Sequence, residues 1–181
     1  MADRLPEGVA LRSLVRHADP RGVLSEFYRA EQVAGDAMVQ WNIVRSEGGV
    51  LRGVHVHPGH ADYLFVIEGT MILGLHDLRP ERPEDRRSAL VTLRGEAPQT
   101  VCVPQGVCHG FHFPEPAVYV YGLSGYWSMD EELGCRYDAP ELGLNWAAET
   151  PVLSPRDEDA GGYAEMREAC LAALAQRASA A

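Results

Sequence analysis

Lysine does not occur in this 181-residue chain; all 16 of its basic residues are arginine. No site here is built on an ammonium group, and any cationic contact is made by a guanidinium, which grips phosphate through a planar fork and keeps its charge. Against 26 acidic residues these arginines leave a formal net charge of −10. That deficit excludes a nucleic-acid binder, which needs a surplus of positive charge to neutralise phosphates. It leaves open a small phosphorylated ligand held by a few arginines in a pocket. The chain also lacks a C-x-x-C pair: Cys102, Cys108, Cys135 and Cys170 are scattered, so a disulfide framework or structural zinc site is not expected. Long apolar runs are missing too, and with them a membrane span. The opening "MADRLPEGVALRSL" has no apolar core behind a basic start, so no secretory signal is expected and a cytoplasmic location follows. Internal repeats and low-complexity segments are absent.

What is there reads as sheet. At this length one domain spanning residues 1–181 is expected. Residues 8–80 and 89–127 are short apolar runs punctuated by Gly and Pro. "YLFVIEGTMILGLHDL" reads as two strands hinged at Glu68-Gly69, and "TVCVPQGVCHGFHF" as strand, turn, strand. "AVYVYGLSGYW" alternates, which places Tyr119 and Tyr121 on one face and Val118 and Val120 on the other. Many short strands at close spacing indicate an all-β fold, a sandwich or barrel. "RPERPEDRRSA" is a polar surface loop, and the Pro-rich "DAPELGLNWAAETPVLSPRD" wraps the outside. Residues 162–177 place Tyr163, Met166, Cys170 and Leu174 at helical intervals and predict a peripheral amphipathic helix, with a frayed "ASAA" end.

The stretch "LRGVHVHPGHADYLFVIEG" carries the chemistry. In a strand His55 and His57 point the same way, with Val54 and Val56 opposed. With the later "PQGVCHGF" the pattern resembles the cupin signature: His55, His57, Asp62 and Gly69 match its first half, Pro104, Gly106 and His109 its second. In metal-binding cupins such residues hold a divalent ion, and three imidazoles with a carboxylate suit Fe, Mn, Ni or Zn. The plainer alternative is a set of hydrogen-bonded pocket histidines.

A second resemblance covers residues 11–157. The pieces "HADPRGVLSEFYR", "VQWNIVRSEGGVLRGVH", "DLRPERPEDRR", "VPQGVCHGF", "YVYGLSGYW", "DAPELGLNW" and "LSPRD", in this order, resemble the dTDP-4-dehydrorhamnose 3,5-epimerase family. That resemblance implies a cupin jelly-roll barrel, usually a homodimer, that uses no metal or other cofactor. The reaction it implies inverts carbons beside the C4 ketone of a 6-deoxyhexose carried on dTDP or another nucleotide. Such chemistry needs a base on one face of the sugar, a proton donor on the other and stabilisation of the enolate oxygen. By position, the resemblance makes His55 the base, Asp157 its supporting carboxylate and Tyr121 the donor. It assigns Arg21 and Arg52 to the diphosphate, Glu26 and Gln40 to nucleotide or pocket contacts, and Asn42 and His109 to the pocket wall. Tyr126 or Trp127 becomes the aromatic that stacks on the base.

Two departures stand out. The family lysine that stabilises the C4 oxygen falls here on Asp62, or on Tyr63 after a shift of one, and the usual glutamine is His57. Two readings therefore remain beside one another. In one, the epimerase chemistry persists with Arg52, His57, His60 or Tyr63 around the oxygen, inverting C3, C5 or both. In the other, a metal sits on His55, His57, Asp62 and His109 and polarises the ketone. A sugar-nucleotide-binding module without turnover is the third. The retained His55, Asp157 and Tyr121 favour the first.

Overall fold

The computed structural model describes residues 5–33, 35–80 and 87–180. The alternating segments form twelve strands: β1 (Ala10–Ser13), β2 (His17–Asp19), β3 (Gly22–Leu24), β4 (Gln40–Ser46), β5 (Leu51–Val56), β6 (Asp62–Glu68), β7 (Thr70–Asp77), β8 (Ser88–Arg94), β9 (Gln99–Val103), β10 (Val107–His112), β11 (Ala117–Leu123) and β12 (Leu133–Gly134). Helices α1 (Pro155–Glu158) and α2 (Tyr163–Ala180) follow. The hinge between β6 and β7 falls at Gly69, where φ is +78° and a Cβ would stand 2.3 Å from the Pro116 carbonyl oxygen. Only glycine meets both demands. The central part of the "RPERPEDRRSA" loop, residues 81–86, lies outside the described residues.

The strands pair into two five-stranded sheets, ordered β1-β9-β6-β11-β4 and β12-β5-β10-β7-β8, with β2 and β3 as a separate hairpin. This corrects the expected all-β jelly-roll barrel. Each sheet has two ends, β1 and β4 in one and β12 and β8 in the other, and among the described residues no ladder joins an end of one sheet to the other. The molecule is a mixed fold, two open antiparallel sheets with two helices. Alternation dictates which side chains face inward, but closure depends on edge-to-edge hydrogen bonding, which alternation does not encode.

Two cores result. Between the sheets pack Leu64 and Val66 of β6, Met71, Leu73 and Leu75 of β7, and Phe113 and Tyr119, all essentially buried. The second core lies on the outer face of the second sheet. There Val54 and Val56 of β5 and Cys108 of β10 meet Leu142, Trp146, Met166 and Cys170. The Trp146 ring closes over Gly74 and Gly110, where any side chain would collide with it, and its Nε1 donates to the Tyr137 carbonyl at 3.0 Å. The Pro-rich segment thus wraps the outside as its composition suggests. Helix α2 docks through Met166 and Cys170 and runs through Ala180, so the "ASA" stretch is helical and exposed where a frayed end was expected. No described helix is long and apolar enough to cross a membrane.

Candidate active site

One end of the space between the sheets opens into a cavity of about 370 Å³. The first sheet supplies Val44, Asp62, Tyr119, Tyr121 and Leu123; the second supplies Arg52, His55, His109 and Phe111. Alternation explains most of these positions. On β6, Asp62 and Leu64 face inward, so Tyr63 faces outward; on β11, Tyr119 and Tyr121 face inward together.

Arg52 and His55 are three apart, and strict alternation would put them on opposite faces. The register shows how both reach the cavity: His109 pairs with His55 and Phe111 with Arg52, so two steps on β10 answer three on β5. That β-bulge turns one extra residue out of phase. It sits at Gly53, where φ is +115° and a Cβ would come within 2.9 Å of the Gly110 Cα.

Asp157 reaches His55 from 102 residues away, its Oδ1 standing 2.7 Å from His55 Nε2. A parallel bridge between Val50 and Val152 lays the approaching segment beside β5. Ser154 then caps α1, accepting from the Asp157 amide at 3.2 Å while its hydroxyl donates to Asp157 Oδ2 at 2.9 Å. With Nε2–H donating to the carboxylate, a neutral His55 keeps Nδ1 as its acceptor. Burial pushes the Asp157 carboxyl up, but the hydrogen bonds from His55 and Ser154 prevail and hold it below the usual range.

This lowered value has a testable consequence. As pH falls, the unfolded chain takes up this proton first, at about pH 3.9. The stability that the ionised carboxylate confers is therefore complete above that pH and lost as pH falls through the lower folded value. Asp157→Asn is expected to melt at lower temperature than the wild type near pH 7, with most of the gap closing below about pH 4. Melting curves across that range check it; a gap undiminished in acid would mean the carboxylate's charge is not what stabilises.

Tyr121 lies on the other sheet, and burial, with Asp62 and Glu132 nearby, pushes its phenol up, so it stays protonated as a donor. Further in, His57, His60, Asp62 and His109 are all buried. Burial holds the His57 and His109 imidazoles neutral, and burial with Glu132 pushes the Asp62 carboxyl well up. Glu132 is itself held by Arg156 at 2.5 Å.

The expected residues divide. His55, Asp157, Tyr121, Arg52, His109, Trp127, His57, His60 and Asp62 line the one cavity. Gln40 stands behind Trp127, its Oε1 accepting from the Trp127 amide at 2.9 Å and its Nε2 donating to Asn42 Oδ1 at 3.3 Å. Tyr126 is 76% exposed and does not line the cavity, so Trp127 is the aromatic at its mouth. Tyr63 turns outward and donates its hydroxyl proton to the Phe27 carbonyl, which removes it from the oxygen site. Arg21 and Glu26 lie outside the cavity, paired with Asp19 and Arg29. Of the four residues in the metal alternative, His55 is engaged by Asp157, while His57 Nε2 and His109 Nε2 each stand 4.0 Å from an Asp62 oxygen. Sequence reasoning missed Glu132 and Arg156. Arg156 sits inside the "SPRD" piece, but Glu132 lies in an acidic run with no distinguishing signal.

An imidazole braced by a carboxylate, with a phenol lining the same cavity, is the equipment of a class of enzymes that work by general acid–base catalysis. The particular family follows from comparison. The profile of the dTDP-4-dehydrorhamnose 3,5-epimerase family matches residues 5–165. A dTDP-4-dehydrorhamnose 3-epimerase from Streptomyces niveus is 34% identical over 174 residues, 91% of this chain and 84% of that protein. The crystal structure of NovW, a 4-keto-6-deoxy sugar epimerase from Streptomyces spheroides, superposes with a TM-score of 0.82 at 33% identity, covering 92% of this chain and 88% of its own. ChmJ, a 3'-monoepimerase from Streptomyces bikiniensis solved with dTDP-quinovose, gives a TM-score of 0.83 at 28% identity, covering 97% and 98%. The chain belongs to the dTDP-4-dehydrorhamnose 3,5-epimerase family, and it is an isomerase.

Proposed function

We propose that this enzyme epimerises a nucleotide-linked 4-keto-6-deoxyhexose, dTDP-linked as in its relatives, at C3, C5 or both. His55 takes the proton alpha to the ketone, Asp157 favours the imidazolium that forms, and Tyr121 returns a proton from the opposite wall. Arg52 and His109 contact the substrate from the cavity wall, and Trp127 meets the nucleobase at its mouth. The observation that carries the reading is the 2.7 Å His55–Asp157 pair in the same cavity as Tyr121. A supported base and a separate acid on opposing sheets are what inversion, rather than simple exchange, requires.

The test is incubation with dTDP-4-keto-6-deoxyglucose in deuterated buffer, followed by NMR. Label is expected at C3, the centre named for the Streptomyces niveus relative and for ChmJ. Label at C5 as well, with inverted configuration there, would make the enzyme a double epimerase. Tight nucleotide binding without exchange on any keto-sugar would leave only a binding module.

A homodimer is proposed on the outer face of the first sheet, where Trp41, Ile43 and Ile67 are exposed. Apolar surface concentrated on one face is typical of an interface. A cytoplasmic location is proposed on the four free, buried cysteines, which suit a reducing compartment.

A further inference from the structure

Immediately after β5, the Pro58-Gly59 turn folds the chain so that His57, His60 and Asp62 converge from six consecutive residues. One donor atom from each lies within 4.8 Å of the others. All three are more than nine-tenths buried, and all face the cavity. The His57 and His60 rings stack with centroids 4.3 Å apart. Both nitrogens of His60 and Nδ1 of His57 have no hydrogen-bond partner; the nearest acceptor to that Nδ1 is Glu132 Oε1 at 3.5 Å. Among the described residues no arginine pairs with Asp62, whose two oxygens stand 4.0 Å from Nε2 of His57 and of His109. That spacing is too long for hydrogen bonds.

We propose that His57, His60 and Asp62 bind one first-row divalent transition-metal ion. Two donors on a tetrahedral ion with bonds of about 2.0–2.2 Å stand roughly 3.3–3.6 Å apart, so donor atoms now within 4.8 Å of one another close the set by contractions of up to about 1.5 Å per pair. Two imidazoles and one carboxylate select Zn, Co, Ni or Fe over Mg or Ca, which take oxygen ligands. His55 stays outside the set: the donor atoms that converge belong to His57, His60 and Asp62, while His55 Nε2 pairs with Asp157. Use of the ion to take charge from the sugar oxygen rests on the epimerase reading; binding of the ion does not.

The experiment uses untagged enzyme, prepared without affinity nickel, stripped with chelator and titrated with Co²⁺ and with Zn²⁺ in the absence of sugar. Co²⁺ is expected to develop a visible d–d band saturating at one ion per chain, and Zn²⁺ to displace it and raise Tm. His60→Gln and Asp62→Asn are expected to weaken binding by at least about 10–100-fold, the loss that even outer-sphere partners produce. His55→Asn and His17→Gln are expected to retain it. The absence of a stoichiometric site in the wild type would overturn the proposal whatever the variants do. So would binding that survives His60→Gln, or binding lost in His55→Asn alone. If metal binding fails while deuterium exchange on the sugar persists, the site falls and the epimerase reading stands.

Discussion

His55→Asn is expected to lower kcat by about 100- to 10,000-fold, the span that a positioned general base contributes, while the fold survives. The imidazole is partly exposed at the cavity, and Asp157 keeps its hydrogen bonds with Ser154 although the shorter asparagine does not reach it. The cost to Tm should therefore stay within about 2–4 °C, the shift that roughly 1 kcal/mol produces at this chain length. Tyr121→Phe gives the contrasting result. Burial keeps this phenol protonated, and its loss removes the donor from one face of the sugar without touching the base on the other. The base can still abstract a proton and return solvent deuterium to the same face. Exchange with retention should continue, while the inverted product falls by a factor of about 100 or more. NMR of the recovered sugar separates the two variants: no label and no inversion for His55→Asn, label without inversion for Tyr121→Phe. If Tyr121→Phe loses exchange as completely as His55→Asn, the two groups do not serve opposite faces.

The strand-turn-strand units were legible in the sequence, because Gly69 and the Pro104–Gly106 turn interrupt alternating runs that had little other way to fold. The inward pairing of Tyr119 with Tyr121 followed from the same period of two. The active-site assembly was legible only through resemblance. Nothing local to "SPRD" shows that it will lie against β5, since that contact is made by the bridge from Val50 to Val152 across a hundred residues. Tyr63 was weighed as an oxygen-site residue beside Asp62, but neighbours on a strand face opposite ways, and only Asp62 enters the cavity. Strand number and spacing leave a sandwich or a barrel open, since they constrain the faces of a sheet and not its edges, and the expectation of a closed barrel came only with the resemblance. Glu132 was invisible for a related reason. Its role near His57 comes from the Arg156 bridge, a tertiary contact between two unremarkable surface-type residues.

Gly53→Ala should damage the fold and the site together. Its φ of +115° lies where L-residues are rarely found, a strain of about 1–3 kcal/mol. The added Cβ would also sit 2.9 Å from the Gly110 Cα and 3.0 Å from the His109 carbonyl oxygen. Those are backbone atoms of the paired strand, so they cannot swing aside as a side-chain tip can, and overpacking adds about 1–3 kcal/mol. Together these predict a loss of about 2–6 kcal/mol and, at about 2–4 °C per kcal/mol, a fall in Tm of roughly 4–24 °C. Gly49→Ala is the matched control: φ is +79° with no atom within 4 Å of the new Cβ, so it carries strain without collision and should cost about 1 kcal/mol. Activity should diverge as well. The strain at Gly53 is relieved by flattening the bulge, which restores strict alternation and turns His55 away from the face it shares with Arg52. Gly53→Ala that still folds should therefore lose kcat nearly as far as His55→Asn, whereas Gly49→Ala should keep it within a few-fold. Equal melting temperatures for the two alanine variants would show that the bulge tolerates a side chain, and that the approach of β5 to β10 is not what aims the base.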